Sequence, residues 1–137
     1  MITQAFCVAA KLDLLNGVHQ PGDDYRIALY GADAELNEFT DRYTVTGEIV
    51  GAGYEAGGQS LTGQVTELAG SLALRTWNNP LWPNATIEAH GALIYNASRG
   101  DRAVEVLRFA NAPVKSTNGV FTVPLPPHGA QAVLRIE

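Results

Sequence analysis

The segment of residues 47–63, GEIVGAGYEAGGQSLTG, constrains the fold more than any other stretch of this chain. Four glycines surround a single aromatic residue, Tyr54. They are Gly51, Gly53, Gly57 and Gly58. Glycine accepts positive φ angles and lets two backbones approach closely, so this run is unsuited to a regular helix or strand. The pattern predicts a tight structural turn in which Tyr54 packs its ring into the body of the domain.

Short segments with the alternation and β-branched composition of strands make up most of the remaining chain. The candidate strands are residues 25–31, 43–50, 63–68, 72–77, 85–90, 92–95, 103–110, 119–123 and 131–136. Pro, Asn and Gly residues punctuate them at intervals typical of sandwiches and barrels. We therefore predict a mostly all-β fold, an antiparallel β-sandwich or jelly roll whose two sheets bury their inward-facing residues.

The start of the chain predicts one short helix over about residues 3–16. Thr3 is a candidate N-cap, and Asn16 followed by Gly17 is a typical helix end. The predicted apolar face consists of Phe6, Ala9, Ala10, Leu12 and Leu14. We expect residues 1–137 to form a single domain that begins with this helix.

Composition and charge narrow the function classes. The net charge of −5 and the pI of about 5.1 argue against direct nucleic-acid binding, which usually requires a basic face. No apolar stretch approaches the roughly 20 residues that span a bilayer, and the start lacks the basic region of a signal peptide. Charged residues are only 17% of the chain, below the roughly 25% usual for soluble domains. This shortage favours a surface that is partly covered in an assembly.

The residues that usually carry chemistry have no supporting pattern. His19, His90 and His128 lack the spacing of metal ligands, and no serine lies in a nucleophile motif. The glycine run is not followed by the Lys-Ser/Thr pair of a phosphate loop. Cys7, flanked by apolar residues, is expected to be buried. The sequence predicts no catalytic residue, no metal and no cofactor, and hence a protein that is not an enzyme.

Trp77 and Trp82, on either side of an Asn/Pro loop, leave two interpretations open. Exposed tryptophans could stack on sugar rings, as in a carbohydrate-binding module. Alternatively, Trp77 ends a core strand, and Trp82 packs under its loop or against a neighbouring subunit. We favour the second interpretation.

Several motifs resemble a family of small virion structural proteins of tailed bacteriophages. The strand RIALYG is followed by an acidic segment and then by a GxGYxAGGxxL motif, which Gly51 opens and Leu61 closes. The later segments HGALIYNAS, AVEVLRFA and GVFTVPLPP are also similar, so the resemblance covers most of residues 10–126.

The resemblance implies a capsid cement, or decoration, protein on the outer shell of a virion made in the cytoplasm of the bacterial host. The expected partner is the major capsid protein, with self-association as a dimer or trimer. The alternative is a neck or tail protein, such as an adaptor or fibre-attachment subunit. We expect docking through loops 32–42, 78–84 and 111–118, with the N-terminal segment as the alternative contact with a neighbour. The candidate interface residues are Phe39, Tyr43, Trp77 and Trp82.

Overall fold

The computed structural model describes residues 1–125 and 134–136, and one α-helix and ten strands lie in this part of the chain. The helix is α1 (Val8–Leu15). The strands are β1 (Ala5–Phe6), β2 (Tyr25–Tyr30), β3 (Gln59–Ser60), β4 (Val65–Ala69), β5 (Leu72–Thr76), β6 (Leu81–Ala89), β7 (Gly91–Asn96), β8 (Arg102–Arg108), β9 (Val114–Thr122) and β10 (Leu134–Ile136).

The strands form three antiparallel sheets. The largest has the order β1-β8-β7-β2-β3, a second has the order β10-β5-β4, and β6 pairs with β9. The predicted class is confirmed: the fold is mostly β, with antiparallel sheets and one helix, consistent with an all-β sandwich.

The five-stranded sheet is the middle layer, because β2 buries side chains on both of its faces. Tyr25, Ile27 and Leu29 join the main hydrophobic core, whereas Ala28 and Tyr30 join a second cluster on the opposite face. This is the alternation that the sequence of β2 predicts, since successive side chains of a strand point to opposite faces.

The main core lies between the five-stranded sheet and the strands of the two smaller sheets. From β6 it receives Trp82, Ala85 and Ile87, and from β9 it receives Phe121. Leu134 of β10 closes the core from the three-stranded sheet. Burying large apolar side chains between layers is the main source of stability in such a sandwich.

The other face of the five-stranded sheet is covered by the N-terminal segment and α1. Ile2, Cys7 and Ala10 pack there against Leu93 and Val106 of the sheet. No helix in the described part of the chain has the length and apolar character that crossing a membrane requires.

The helix begins at Val8, so the predicted start near Thr3 is wrong. The backbone N–H of Thr3 donates to the carbonyl of Leu36 at 2.8 Å, and that of Cys7 donates to the carbonyl of Val104 at 3.1 Å. Between them, β1 pairs with β8. In a helix that begins at Thr3, the N–H of Cys7 would donate to the carbonyl of Thr3; here it bonds to the sheet, so this first turn does not form.

Several strand boundaries also differ from the prediction. Residues 43–50 form a turn and one isolated bridge at Glu48 instead of a strand, whereas Gln59–Ser60 pairs with β2. Strand β6 starts at Leu81 and continues through Pro83, where its register with β9 shifts, as a proline within a strand usually requires. Residues 126–133, which include His128 and the start of the predicted last strand, lie outside the described residues.

Loops 78–84 and 111–118, predicted as docking loops, are therefore partly strand. Strand β9 runs from Val114 through the predicted turn at Asn118 and Gly119. Asn118 has a φ of +49°, and the β6–β9 register shifts twice along the pair. A local bulge absorbs the turn-forming residues without ending the strand.

Candidate interaction surfaces

The glycine loop joins two sheets at one edge of the sandwich. The backbone of Ala52 bridges to Thr86 of β6, while β3 follows the loop and pairs with β2. Gly58 has a φ of +73°, and a Cβ at this position would overlap the carbonyl oxygen of Ile27. Gly53 has a φ of +85°, and a Cβ there would overlap the carbonyl oxygen of Asn84. The loop therefore holds both sheets through backbone contacts that only glycine permits.

The other two glycines of the run lie in the same junction. A Cβ on Gly51 would come within 2.6 Å of the carbonyl oxygen of Thr86. The backbone of Gly57 contacts two side chains, since its N–H donates to Glu48 at 2.8 Å and its carbonyl accepts from the Tyr95 hydroxyl at 2.7 Å. All four glycines serve the packing of the loop against the body of the protein.

Tyr54 fills the space beneath this loop. Its ring is 9% exposed and belongs to the main core, where it lies 5.9 Å from the ring of Trp82. Its hydroxyl accepts a hydrogen bond from the backbone N–H of Leu29 at 2.9 Å and donates one to Glu48. The pKa of Tyr54 lies well above its ordinary value, mainly because the hydroxyl is buried and secondly because it donates to this carboxylate. The phenol is thus held neutral, as a structural group.

Glu48 is the centre of this polar cluster. One oxygen of its carboxylate accepts from Tyr54 and from the backbone of Gly57, and the other accepts from Tyr43. The ring of Tyr43 stacks on that of Tyr95 with 4.8 Å between centroids. Three internal donors hold the carboxylate in place, so it fixes the loop in this arrangement.

Trp77 and Trp82 lie in the core, which corrects their assignment to a candidate interface. Each is 5% exposed. Trp77 lies 5.4 Å from the ring of Tyr25, and Trp82 lies 6.1 Å from that of Phe121, edge to face. A buried indole cannot stack on a sugar or contact a partner unless the core opens. The interpretation of both rings as packing residues agrees with this geometry.

The remaining two candidates lie on the side of the molecule covered by the N-terminal segment. Phe39 is 73% exposed, whereas Tyr43 is half-buried and packs against the second cluster. The structure therefore leaves Phe39 as the accessible aromatic among the four predicted interface residues.

A buried polar network links α1 to the ends of the central strands. Asp13 pairs with Arg102 at 3.0 Å, and its second oxygen lies 3.6 Å from Nε2 of His19. Burial lowers the pKa of His19, against the opposing effect of the two nearby carboxylates of Asp13 and Asp23. The imidazole is thus kept neutral between two acidic residues.

The other side of this network is centred on Asn96. Its amide nitrogen lies 3.1 Å from Nδ1 of His19 and donates to Asp23 at 2.8 Å. Arg99 donates two hydrogen bonds to Asp23, at 2.9 and 3.0 Å, and holds the pKa of that carboxyl well below its usual range. The network fastens the 17–24 loop onto the sheet.

Two further titratable groups lie next to β1: Glu105 pairs with Phe6 from β8, and Cys7 directly follows the strand. Glu105 is 8% exposed, and burial raises its pKa to about 8. Burial also raises the pKa of the fully buried Cys7 thiol to about 12. A thiol with this pKa is a poor nucleophile at neutral pH. Over residues 1–125 and 134–136, no group of three or more His, Cys, Asp or Glu residues has a metal-binding arrangement.

The surface feature that the sequence pattern did not predict is the outward side of α1. Val8, Leu12 and Leu15 are 41%, 59% and 87% exposed, although the pattern places Leu12 on the buried face. The inward side carries Ala10 and Asp13. Residues 8, 12 and 15 have the spacing of one helix face, so the sequence does reveal an apolar stripe. It does not reveal whether that stripe faces the core or the solvent. Because aspartate is rarely buried, the sequence favours the wrong orientation.

The comparisons add no relative. No family model, no curated protein and no solved structure matches this chain significantly.

Proposed function

We propose that this chain is a capsid cement protein of a tailed bacteriophage, which binds the outer shell and bridges adjacent major capsid proteins. The GxGYxAGGxxL motif and the strand motifs around it support this proposal by their resemblance to small virion structural proteins. The location would be the virion surface, and the mode of action would be binding.

The observation that carries the proposal is the distribution of exposed apolar residues around a well-packed core. Large apolar side chains that are more than half exposed occur on several elements. They include Leu12 and Leu15 on α1, Val45 and Val50 before the glycine loop, Leu68 on β4, Val120 on β9 and Ile136 on β10. Single exposed apolar residues are ordinary. Their spread over several elements, together with the low content of charged residues, fits a protein that touches several neighbours.

A protein that contacts several coat subunits gains affinity from multiple attachment. Each contact can be small and individually weak, because the first contact raises the effective concentration for the next one. The glycine loop and the Glu48 cluster fix two sheets together and keep the contact points at constant distances. Such rigidity suits a protein that reinforces a shell against internal pressure.

The carbohydrate-binding alternative loses its main support. It depended on exposed rings at Trp77 and Trp82, and both rings are 5% exposed. The neck or tail alternative shares the same motifs, and the number of copies in each particle separates it from a shell protein.

The test uses purified virions of the phage that encodes the chain. A mild chaotrope should release the protein and leave DNA-filled particles that lose their DNA at a lower temperature than untreated particles. Adding the purified protein back should restore the original temperature. Depleted particles that are as heat-stable as intact ones would contradict the proposal.

A further inference from the structure

The helix α1 exposes three of its apolar residues, beside the exposed Lys11, and buries an aspartate. Its outward side is a ridge of three apolar residues, Val8, Leu12 and Leu15, at the i, i+4, i+7 spacing of one helix face. Its inward side buries Asp13. A surface helix of a monomeric protein normally shows the opposite arrangement, with the apolar stripe inside.

This orientation is fixed by specific contacts. Asp13 is held inward by the ion pair with Arg102 at 3.0 Å and lies beside His19. Ala10 is fully buried against the five-stranded sheet. Rotating the helix to hide Leu12 would expose the buried Ala10 and break the ion pair of the buried Asp13 with Arg102. The apolar ridge is therefore a permanent feature of the surface.

Phe39 extends this ridge sideways. The backbone N–H of Val8 donates to the carbonyl of Glu38 at 2.7 Å, which brings the next residue, Phe39, beside the start of the helix. Phe39 is 73% exposed. We call the set Val8, Leu12, Leu15 and Phe39 the helix ridge.

Carboxylates border the helix ridge on the side of the 38–41 segment. Glu38 and Asp41 are exposed, and the backbone of Asp41 bonds to Ala103 of β8, the strand under α1. Within residues 1–125 and 134–136, no lysine or arginine forms an ion pair with either carboxylate. A partner that covers the helix ridge would therefore meet these two carboxylates at its border, with the exposed Lys11 as the one cation of α1 itself.

We propose that the helix ridge is the surface that docks onto the coat subunit, in an apolar depression bordered by lysine or arginine side chains. This inference rests on the proposed function and specifies which residues of the protein contact the coat subunit. The apolar residues would supply most of the affinity, and the charges would favour the correct partner and speed association.

A second copy of this chain fits the helix ridge less well. An eight-residue helix is only about 12 Å long, and with one phenylalanine it covers far less than the roughly 800 Å² per partner of a stable pair. Two copies would also bring the same carboxylate borders together, with a net charge of −5 on each chain. A large subunit in a lattice, which adds further contacts, does not share these difficulties.

The test measures binding of purified protein to coat shells that have been stripped of it, by co-sedimentation. Leu12→Gln/Leu15→Gln removes two ridge side chains without changing the charge. The matched control is Val65→Gln/Ser71→Gln, at two exposed residues of β4 and the turn that follows it, which are not among the proposed contact residues. Melting temperature and circular dichroism of each free variant establish that it is folded.

We expect the ridge variant to bind at least about 30-fold more weakly and the control to bind within about threefold of the wild type. Equal binding by the wild type and the ridge variant would overturn the docking proposal and leave the proposed function standing. An equal loss in both variants would overturn it too. If the wild type itself does not bind shells, the proposed function fails, and the docking proposal fails with it.

Two further measurements test the identity of the partner. Glu38→Lys/Asp41→Lys should weaken shell binding, and added salt should weaken the wild type more than this variant. Stronger binding by the lysine variant would contradict the proposal that lysine or arginine side chains of the coat subunit border the docking site. Sedimentation of the free protein tests the second-copy alternative, and we expect no dimer that depends on the helix ridge. A dimer that Leu12→Gln/Leu15→Gln converts to monomer would assign the helix ridge to a second copy of the chain.

Discussion

The hydroxyl of Tyr54 donates a hydrogen bond to the carboxylate of Glu48 beneath the glycine loop. The same hydroxyl accepts a hydrogen bond from the backbone N–H of Leu29, so one side chain connects the loop, the 43–50 segment and strand β2. This connection explains why the most glycine-rich part of the chain is also one of its fixed points.

Removing that hydroxyl should destabilise the protein measurably. Tyr54→Phe leaves the buried N–H of Leu29 without its partner, so we expect the free energy of unfolding to fall by about 1–3 kcal/mol. Tyr43→Phe is the matched control, because its hydroxyl bonds the other oxygen of Glu48 from a half-buried position. It should cost less than about 1 kcal/mol. Urea denaturation measures both, and equal losses would contradict the central position of Tyr54.

The close contact at Gly58 gives a second prediction. Gly58→Ala should destabilise by more than about 3 kcal/mol, because the methyl group would overlap the Ile27 carbonyl in addition to the strain of a positive φ. Gly70 has a similar φ of +66°, and a methyl group added there would meet no atom within 4 Å, so Gly70→Ala isolates the strain alone. It should cost about 1–2 kcal/mol. Similar melting temperatures for the two variants would show that the contact is unimportant.

Buried Glu105 should make the protein less stable as pH rises. The pKa of Glu105 is about 8 in the folded protein, whereas the ordinary value for an exposed glutamate is 4.5. Between pH 4.5 and 8, the folded state therefore holds a proton that the unfolded state has lost. The stability that the protonated form provides is complete below pH 4.5 and is lost as pH rises through 8.

Glu105→Gln removes this dependence. At pH 8 the variant should be more stable than the wild type by on the order of 4 kcal/mol, and at about pH 4 the two should be nearly equal. Chemical denaturation over a series of pH values measures the difference. A variant that is equally or less stable at the higher pH would show that the carboxyl is ionised at no cost in the folded state.

His19 should act in the opposite direction. Its folded pKa lies below the ordinary 6.5, so its contribution to stability is present above pH 6.5 and is lost as pH falls below that value. Glu105 has the opposite dependence over the same pH range, so the comparison is made in the Glu105→Gln background, where His19→Gln should flatten the stability curve between about pH 7 and 5. Asp23, whose pKa is held below its usual range by Arg99, titrates in a lower pH window and does not obscure this change. An unchanged slope in the variant would contradict the neutral buried imidazole.

The sequence predicted best where local pattern and tertiary packing agree. The alternation of Tyr25, Ile27 and Leu29 against Ala28 and Tyr30 is the alternation of the folded strand, because both faces of β2 are buried. The glycine run predicts a tight turn around Tyr54 because few other conformations suit that composition.

Long-range pairing decided the features that the sequence did not predict. Residues before Val8 carry a helical pattern, yet they pair with β8, which lies about a hundred residues later in the chain. The orientation of α1 depends on Arg102, which holds Asp13 inward and leaves Leu12 exposed. At Asn118, a turn-forming residue is accommodated in a bulge of β9 because β6 provides a partner along its length. None of these partners is visible in a local window of sequence.

The central claim, that this protein reinforces a phage shell, is tested most directly by counting its copies in purified virions relative to the major capsid protein. We predict on the order of hundreds of copies per particle, as repeated sites over an icosahedral shell require. A count of about six to a few dozen would assign the protein to the neck or tail, and its absence from mature particles would contradict the account altogether.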